Sequence, residues 1–199
     1  MEPLATLGRM LGFSFAAGVN LYATVALLGL ASRYGWVSLP PQYHAFDNDW
    51  VIGVALVMYV VEFFADKVPY VDTLWDIVHT AIRPLGGALI AVTTLGDASP
   101  TTEALVMLLG GVVATGSHLT KTSTRAVVNT SPEPFSNWFL SLGEDVFVVG
   151  LGFLALRYPE IALAVAAILL AVIVIFAAVI LRTVRRWFAR RRAPGTQGA

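Results

Sequence analysis

The chain contains no cysteine. That absence rules out a disulfide framework, a thiolate metal site, a cysteine nucleophile and an iron–sulfur cluster. Charge is scarce as well: Asp, Glu, Lys and Arg make up 13% of the residues against 57% hydrophobic, and mean hydropathy is +0.73. Soluble domains carry about a quarter charged residues because their surface has to be solvated, and this chain has too few polar side chains for that. Formal net charge is zero, so no nucleic-acid partner is expected. No Ser-His-Asp arrangement, HExxH or nucleotide loop occurs; neither an enzymatic activity nor a cofactor is expected.

What the chain has instead is apolar length. Apolar runs at 4–31, 50–64, 84–95, 103–128, 139–156 and 161–181 predict an all-α polytopic transmembrane bundle of about six spans. The first run is read as a retained helix, since no basic segment and small-residue cleavage site precede it. The third segment is charged over 72–83 and apolar only over 84–95, too short to span alone; with Pro84, Gly86 and Gly87 at the junction it predicts a kinked or broken helix. The membrane domain is placed at 1–182, followed by a basic tail, 183–199, whose end is expected to be disordered. That tail and the placement of Arg9, Lys67, Lys121 and Arg125 predict that both termini are cytoplasmic.

A shift of 98 residues aligns Leu11-Gly12, Ala16, Gly18, Leu21 and Thr24 with Leu109-Gly110, Ala114, Gly116, Leu119 and Thr122, and sets Asn20 on His118. This suggests repeat units at 4–96 and 103–182. Three spans per unit make the topology inverted, a 3+3 arrangement that underlies many transporters. Chance similarity of small-residue packing patterns is the competing explanation.

Asp72, Asp76, His79 and Arg83 are spaced four, three and four apart and fall on one helix face. Glu62 and Asp66 form an i,i+4 pair upstream. Ionisable groups at membrane depth mark ion or proton pathways; the alternative is an interfacial helix whose charged stripe faces water. Asp72, Asp76 and His79 are also weak candidates for a divalent metal, with Arg83 placing a positive charge against them. Gly116 to Arg125 combines His118, five hydroxyls, Lys121 and Arg125, a set suited to an anion. Its alternative is a helix end with hydroxyls bonded back to their own carbonyls and basic groups anchored at headgroups. Glu144 and Asp145 are available to pair with Lys121, Arg125 or Arg83, and Asn20 is a polar residue inside an apolar run. The candidate ion or solute site is therefore Asn20, Glu62, Asp66, Asp76, His79, Arg83, His118, Lys121, Arg125, Glu144 and Asp145. At least one carboxylate of the first group is expected to meet Lys121 or Arg125, since isolated buried charge is costly.

Three stretches carry a family resemblance: Gly18-Val19-Asn20-Leu21-Tyr22-Ala23-Thr24, Glu62 to Pro69 with Asp72, and His118 to Arg125 continuing through Asn129 to Pro134. Together they resemble an uncharacterised bacterial multi-pass inner-membrane family known only as a domain of unknown function. The resemblance implies a bacterial inner-membrane location and brings no activity or site residues. From the residues themselves, the expectation is a small transporter or channel for an ion or small solute. The other reading is a scaffold, or a protein that binds anionic lipid through its basic tail. The bilayer is the one obligatory partner, and homo-oligomerisation is compatible with either reading.

Overall fold

The computed structural model describes residues 3–130 and 135–192, with side chains through Trp187. The proline-rich part of the expected loop, 131–134, and the expected disordered end, 193–199, lie outside the described residues. The elements are α1 (Pro3–Val19), α2 (Leu21–Arg33), a 3-10 turn (Pro41–Phe46), α3 (Asp49–Ala65), α4 (Pro69–Leu95), α5 (Pro100–Val128), α6 (Phe135–Arg157) and α7 (Pro159–Arg192). No strand occurs among the described residues.

The protein is polar inside and apolar outside. Glu62 and Arg83 have no solvent exposure, whereas Leu85, Leu108, Val146, Ile168 and Ile175 are each more than half exposed. In water the exposed apolar surface would cost free energy; in a bilayer that cost vanishes, and the buried charges are sheltered from lipid in the interior of the bundle. Helices α4, α5, α6 and α7 are each long and apolar enough to cross a membrane. This is an integral membrane protein. In the most apolar stretch of α7 only 6% of the residues are buried; Ala162 and Ala166 face the core and most of the remaining surface is left for lipid.

The first apolar run is not one span. It breaks at Asn20, whose backbone is extended (φ −147°, ψ 100°) and whose Oδ1 accepts from the Ala23 amide at 2.9 Å, capping α2. Neighbours along α6 show where the two arms lead. Descending α1, Gly8 packs at Pro159, Gly12 at Ala155, Phe15 at Phe147 and Asn20 at Asp145. Ascending α2, Leu27 returns to Gly152 and Arg33 pairs with Asp47 and Asp49 at the start of α3. Thus α1 and α2 form a hairpin that enters from one end of the bundle, turns at mid-depth and leaves by the same end. Helices α3 to α7 run beside this hairpin, and of these α4, α5, α6 and α7 have the length and hydropathy of membrane spans.

Three further expectations are corrected by the same contacts. The break falls at Asn20; at Pro84, where a kinked or broken helix is expected, α4 is unbroken, with Gly86 and Gly87 packed closely against Leu21 and Ala114. Pro3, Thr6 and Met10 share a cavity with Leu95 and Val106, at the end of α4 and the start of α5. The start of α1 therefore lies at the opposite end of the bundle from the end of α7, against the expectation that both ends of the chain share one side. Finally, α1 and α5 run in the same direction, Met10 beside Val106, Ser14 beside Gly110 and Gly18 beside Ala114 and Ser117. An inverted repeat requires them antiparallel. Gly18 is pressed onto α5 while Gly116 has open space, so the aligned glycines are not equivalent.

Candidate functional site

The ends of α3 and α5 and the starts of α4 and α6 meet at one end of the bundle, opposite the hairpin's mouth. From there a column of ionisable residues runs inward. Along α4 it extends from Asp72 to Arg83, eleven residues or about 16 Å of helix rise. Beyond Arg83, α4 is apolar to Leu95 apart from two threonines. The column stops where the hairpin tip begins.

Arg83 occupies the inner end. Its Nη2 donates to Glu62 Oε1 at 2.7 Å, and neither side chain has any solvent exposure. Its Nη1 donates to His118 Nδ1 at 2.7 Å and to the Gly18 carbonyl at 3.4 Å. That carbonyl belongs to the last turn of α1, which has no intrahelical donor, and a guanidinium there complements the negative end of the helix dipole. Since a guanidinium only donates, His118 Nδ1 carries no proton. The Thr80 hydroxyl donates to the Asp76 carbonyl at 2.9 Å and lies 3.1 Å from His118 Nε2, so Nε2 is protonated and His118 is neutral. Asp76 lies 3.4 Å from Arg83 Nη1.

The outer part is built on Asp66. Lys121 Nζ lies 2.9 Å from Asp66, 3.4 Å from Glu62 and 3.5 Å from Glu144. Arg125 donates through Nε to Glu144, through Nη1 to the Asp66 carbonyl and Asn137, and through Nη2 to Asp66 and Glu144, at 2.6 to 3.2 Å. All five guanidinium protons are thus engaged by protein acceptors. The carboxylates of α3 do meet the basic residues of α5.

Two smaller pairs flank this network. Asn20 Nδ2 donates to Asp145 Oδ1 at 3.3 Å. His79 has Nδ1 2.7 Å from the Trp75 carbonyl and Nε2 2.9 Å from the Tyr22 hydroxyl. A carbonyl only accepts, so Nδ1 is protonated; a phenol both donates and accepts, so His79 keeps both bonds whether neutral or charged.

All eleven candidate residues therefore lie in or beside one buried region, although they come from the hairpin and from α3, α4, α5 and α6. The anion reading of Gly116 to Arg125 loses its donors: Thr120, Thr122 and Thr124 bond back to carbonyls three or four residues earlier, and Lys121 and Arg125 face the interior. Asp72, Asp76 and His79 turn to different partners, and no group of three or more His, Asp or Glu side chains suited to a metal occurs among the described residues. Sequence reasoning missed Tyr22, Thr80, Asn129 and Asn137. Asn129 and Asn137 flank the loop between α5 and α6, and as amides near membrane depth they carried a usable signal.

The chain belongs to a family described as a domain of unknown function (DUF4126), which matches residues 7–179. No curated protein and no solved structure matches it.

Proposed function

We propose that this protein moves a small ion or solute across a bacterial inner membrane, as a carrier or channel and not as an enzyme. The observation that carries the reading is the meeting of a discontinuous helix hairpin with a buried ionisable column at mid-bundle. Discontinuous helices are expensive in lipid and recur in transporters because their free ends face the transported species. The ionisable groups are likewise costly at this depth and recur along transport pathways. Glu62, Arg83 and His118 form the gate where the column ends, and the apolar half of α4 seals the other side. The basic residues Arg182, Arg185 and Arg186 extend from the column's end of the bundle, which makes that end cytoplasmic and puts the start of α1 outside.

Reconstitution tests this. Purified protein in proteoliposomes should dissipate an imposed ion or solute gradient, and Glu62→Gln should abolish that flux while eluting as a folded species. A folded Glu62→Gln variant with wild-type flux removes Glu62 from the mechanism. Absence of flux for every ion and solute class, with a folded wild type, supports a second reading: a scaffold whose saturated Lys121 and Arg125 network is purely structural and whose α7 extension engages anionic lipid.

A further inference from the structure

We infer that the ion this protein carries is a proton, bound at Asp145 under the tip of the re-entrant hairpin. This rests on the transport reading and names its ion and the group that holds it.

Ion pairing singles Asp145 out. Among the carboxylates of the buried region, Glu62, Asp66, Asp72, Asp76 and Glu144 each lie within 3.8 Å of a Lys or Arg nitrogen. Asp145 is only 9% exposed and has no ion pair among the described residues. Its Oδ1 accepts from Asn20 Nδ2 at 3.3 Å, and its Oδ2 is buried without a hydrogen-bond partner among those residues. The charged groups that face it are Glu62 and Asp66 from α3, Lys67 just beyond α3 and Lys121 from α5, with the Tyr59 phenol alongside. Lys121 is engaged by Asp66 and Glu62 at 2.9 and 3.4 Å. Lys67 donates to the Phe63 carbonyl at 2.9 Å and to Ser141 at 3.4 Å, and its Nζ sits 3.1 Å from the centre of the Phe63 ring. No cation therefore touches Asp145, while two other carboxylates approach it. An ionised carboxylate enclosed without a counter-ion is costly, and the neutral acid avoids that cost. A proton needs no cavity, only a free basic oxygen, and Oδ2 is one.

Position couples that proton to movement. Asn20 uses its oxygen to cap α2 and its amide hydrogens to hold Asp145. With the proton on Oδ2, the hairpin tip rests against a neutral group. Without it, the bare carboxylate has to be hydrated or to reach Lys67, which is bonded one helical turn away at Ser141, and either requires the tip or α6 to shift. Release and opening are then one event, because the proton favours the closed arrangement over the open one. The O–H bond forms with a proton taken from water on one side and breaks to return it to water on the other, with no change of oxidation state.

Infrared spectroscopy on the full-length protein in nanodiscs tests the site, since it reads the carbonyl stretch of a neutral carboxylic acid directly. At about pH 6, where an ordinary aspartate is ionised, the wild type is expected to show such a band, shifted in heavy water. Asp145→Asn should lack it, and Glu62→Gln should keep it. Asp145→Asn mimics the neutral acid and keeps an acceptor for Asn20, so its unfolding temperature should match wild type at that pH and fall less as pH rises. In proteoliposomes loaded with a pH-sensitive dye, an imposed potential should drive proton entry, reduced at least tenfold in Asp145→Asn. If that variant fails to fold, Asp145→Glu is expected to move the band. Overturning results are no neutral-acid band, a band unchanged in folded Asp145→Asn or in Asp145→Glu, or wild-type proton entry in folded Asp145→Asn. The band is read without flux, so a neutral Asp145 with no flux of any kind defeats only the transport reading. Glu62-dependent flux with Asp145 ionised defeats only this one.

Discussion

Asn20 donates to Asp145 across 125 residues of sequence, at 3.3 Å, and that contact fixes the tip of the re-entrant hairpin against a helix that runs through the bundle. The same side chain caps α2 through its oxygen. One amide thus ends a helix, starts another and anchors the turn between them.

Asn20 variants should separate those roles. Asn20→Ala loses cap and anchor, and a lost cap alone costs about 0.5–2 kcal/mol. Asn20→Ser keeps a capping oxygen and loses the donor to Asp145, so it should fall between Ala and wild type. Asn20→Asp keeps the cap but sets two carboxylates together; their repulsion should cost stability when both are ionised, so the variant should be least stable at high pH. Thermal unfolding in detergent across pH measures all three. Equal stability of Ala and wild type would remove the capping role.

Arg83 tests the buried pair. Arg83→Met leaves Glu62 with only Lys121 and should destabilise the fold by about 3–5 kcal/mol. Adding Glu62→Gln should recover part of that loss, since the charge left behind is then gone. A double variant no more stable than Arg83→Met would show that the guanidinium's bonds to His118 and the α1 carbonyl matter more than its charge pairing.

The glycines of α1 and α5 predict opposite signs. A Cβ at Gly18 would collide with Ser117 and the backbone at Ala114, so Gly18→Ala should cost about 1–3 kcal/mol through overpacking. Gly116 faces open space in the middle of α5, where alanine is favoured over glycine by up to about 1 kcal/mol. Gly116→Ala should therefore be neutral or stabilising. Equal destabilisation by both would refute the α1–α5 contact.

Topology is directly measurable because the chain has no cysteine. Single-cysteine variants Ala5→Cys and Ala199→Cys should label differently with an impermeant maleimide applied to intact cells. Position 5 is expected to react from outside and position 199 only after permeabilisation. Labelling of both from the same side would exclude the re-entrant hairpin.

Membrane residence, the all-helical class and the identities of the ionisable candidates were legible in the sequence, because hydropathy and intrahelical spacing are local properties. Asp72, Asp76, His79 and Arg83 had to share a face once α4 was a helix. Three things depended on tertiary packing. The break at Asn20 is a single residue between equally apolar flanks, so hydropathy runs across it unchanged; only the contact with Asp145 and the return of Leu27 to Gly152 show that the chain turns back. The direction of α1 relative to α5 follows from that turn, and a pattern of small residues recorded close packing without recording orientation. Which carboxylates are neutralised is also a tertiary matter. Every candidate acid looked alike in sequence, and the reach of Arg83, Lys121 and Arg125 across the bundle left only Asp145 of them without an ion pair among the described residues.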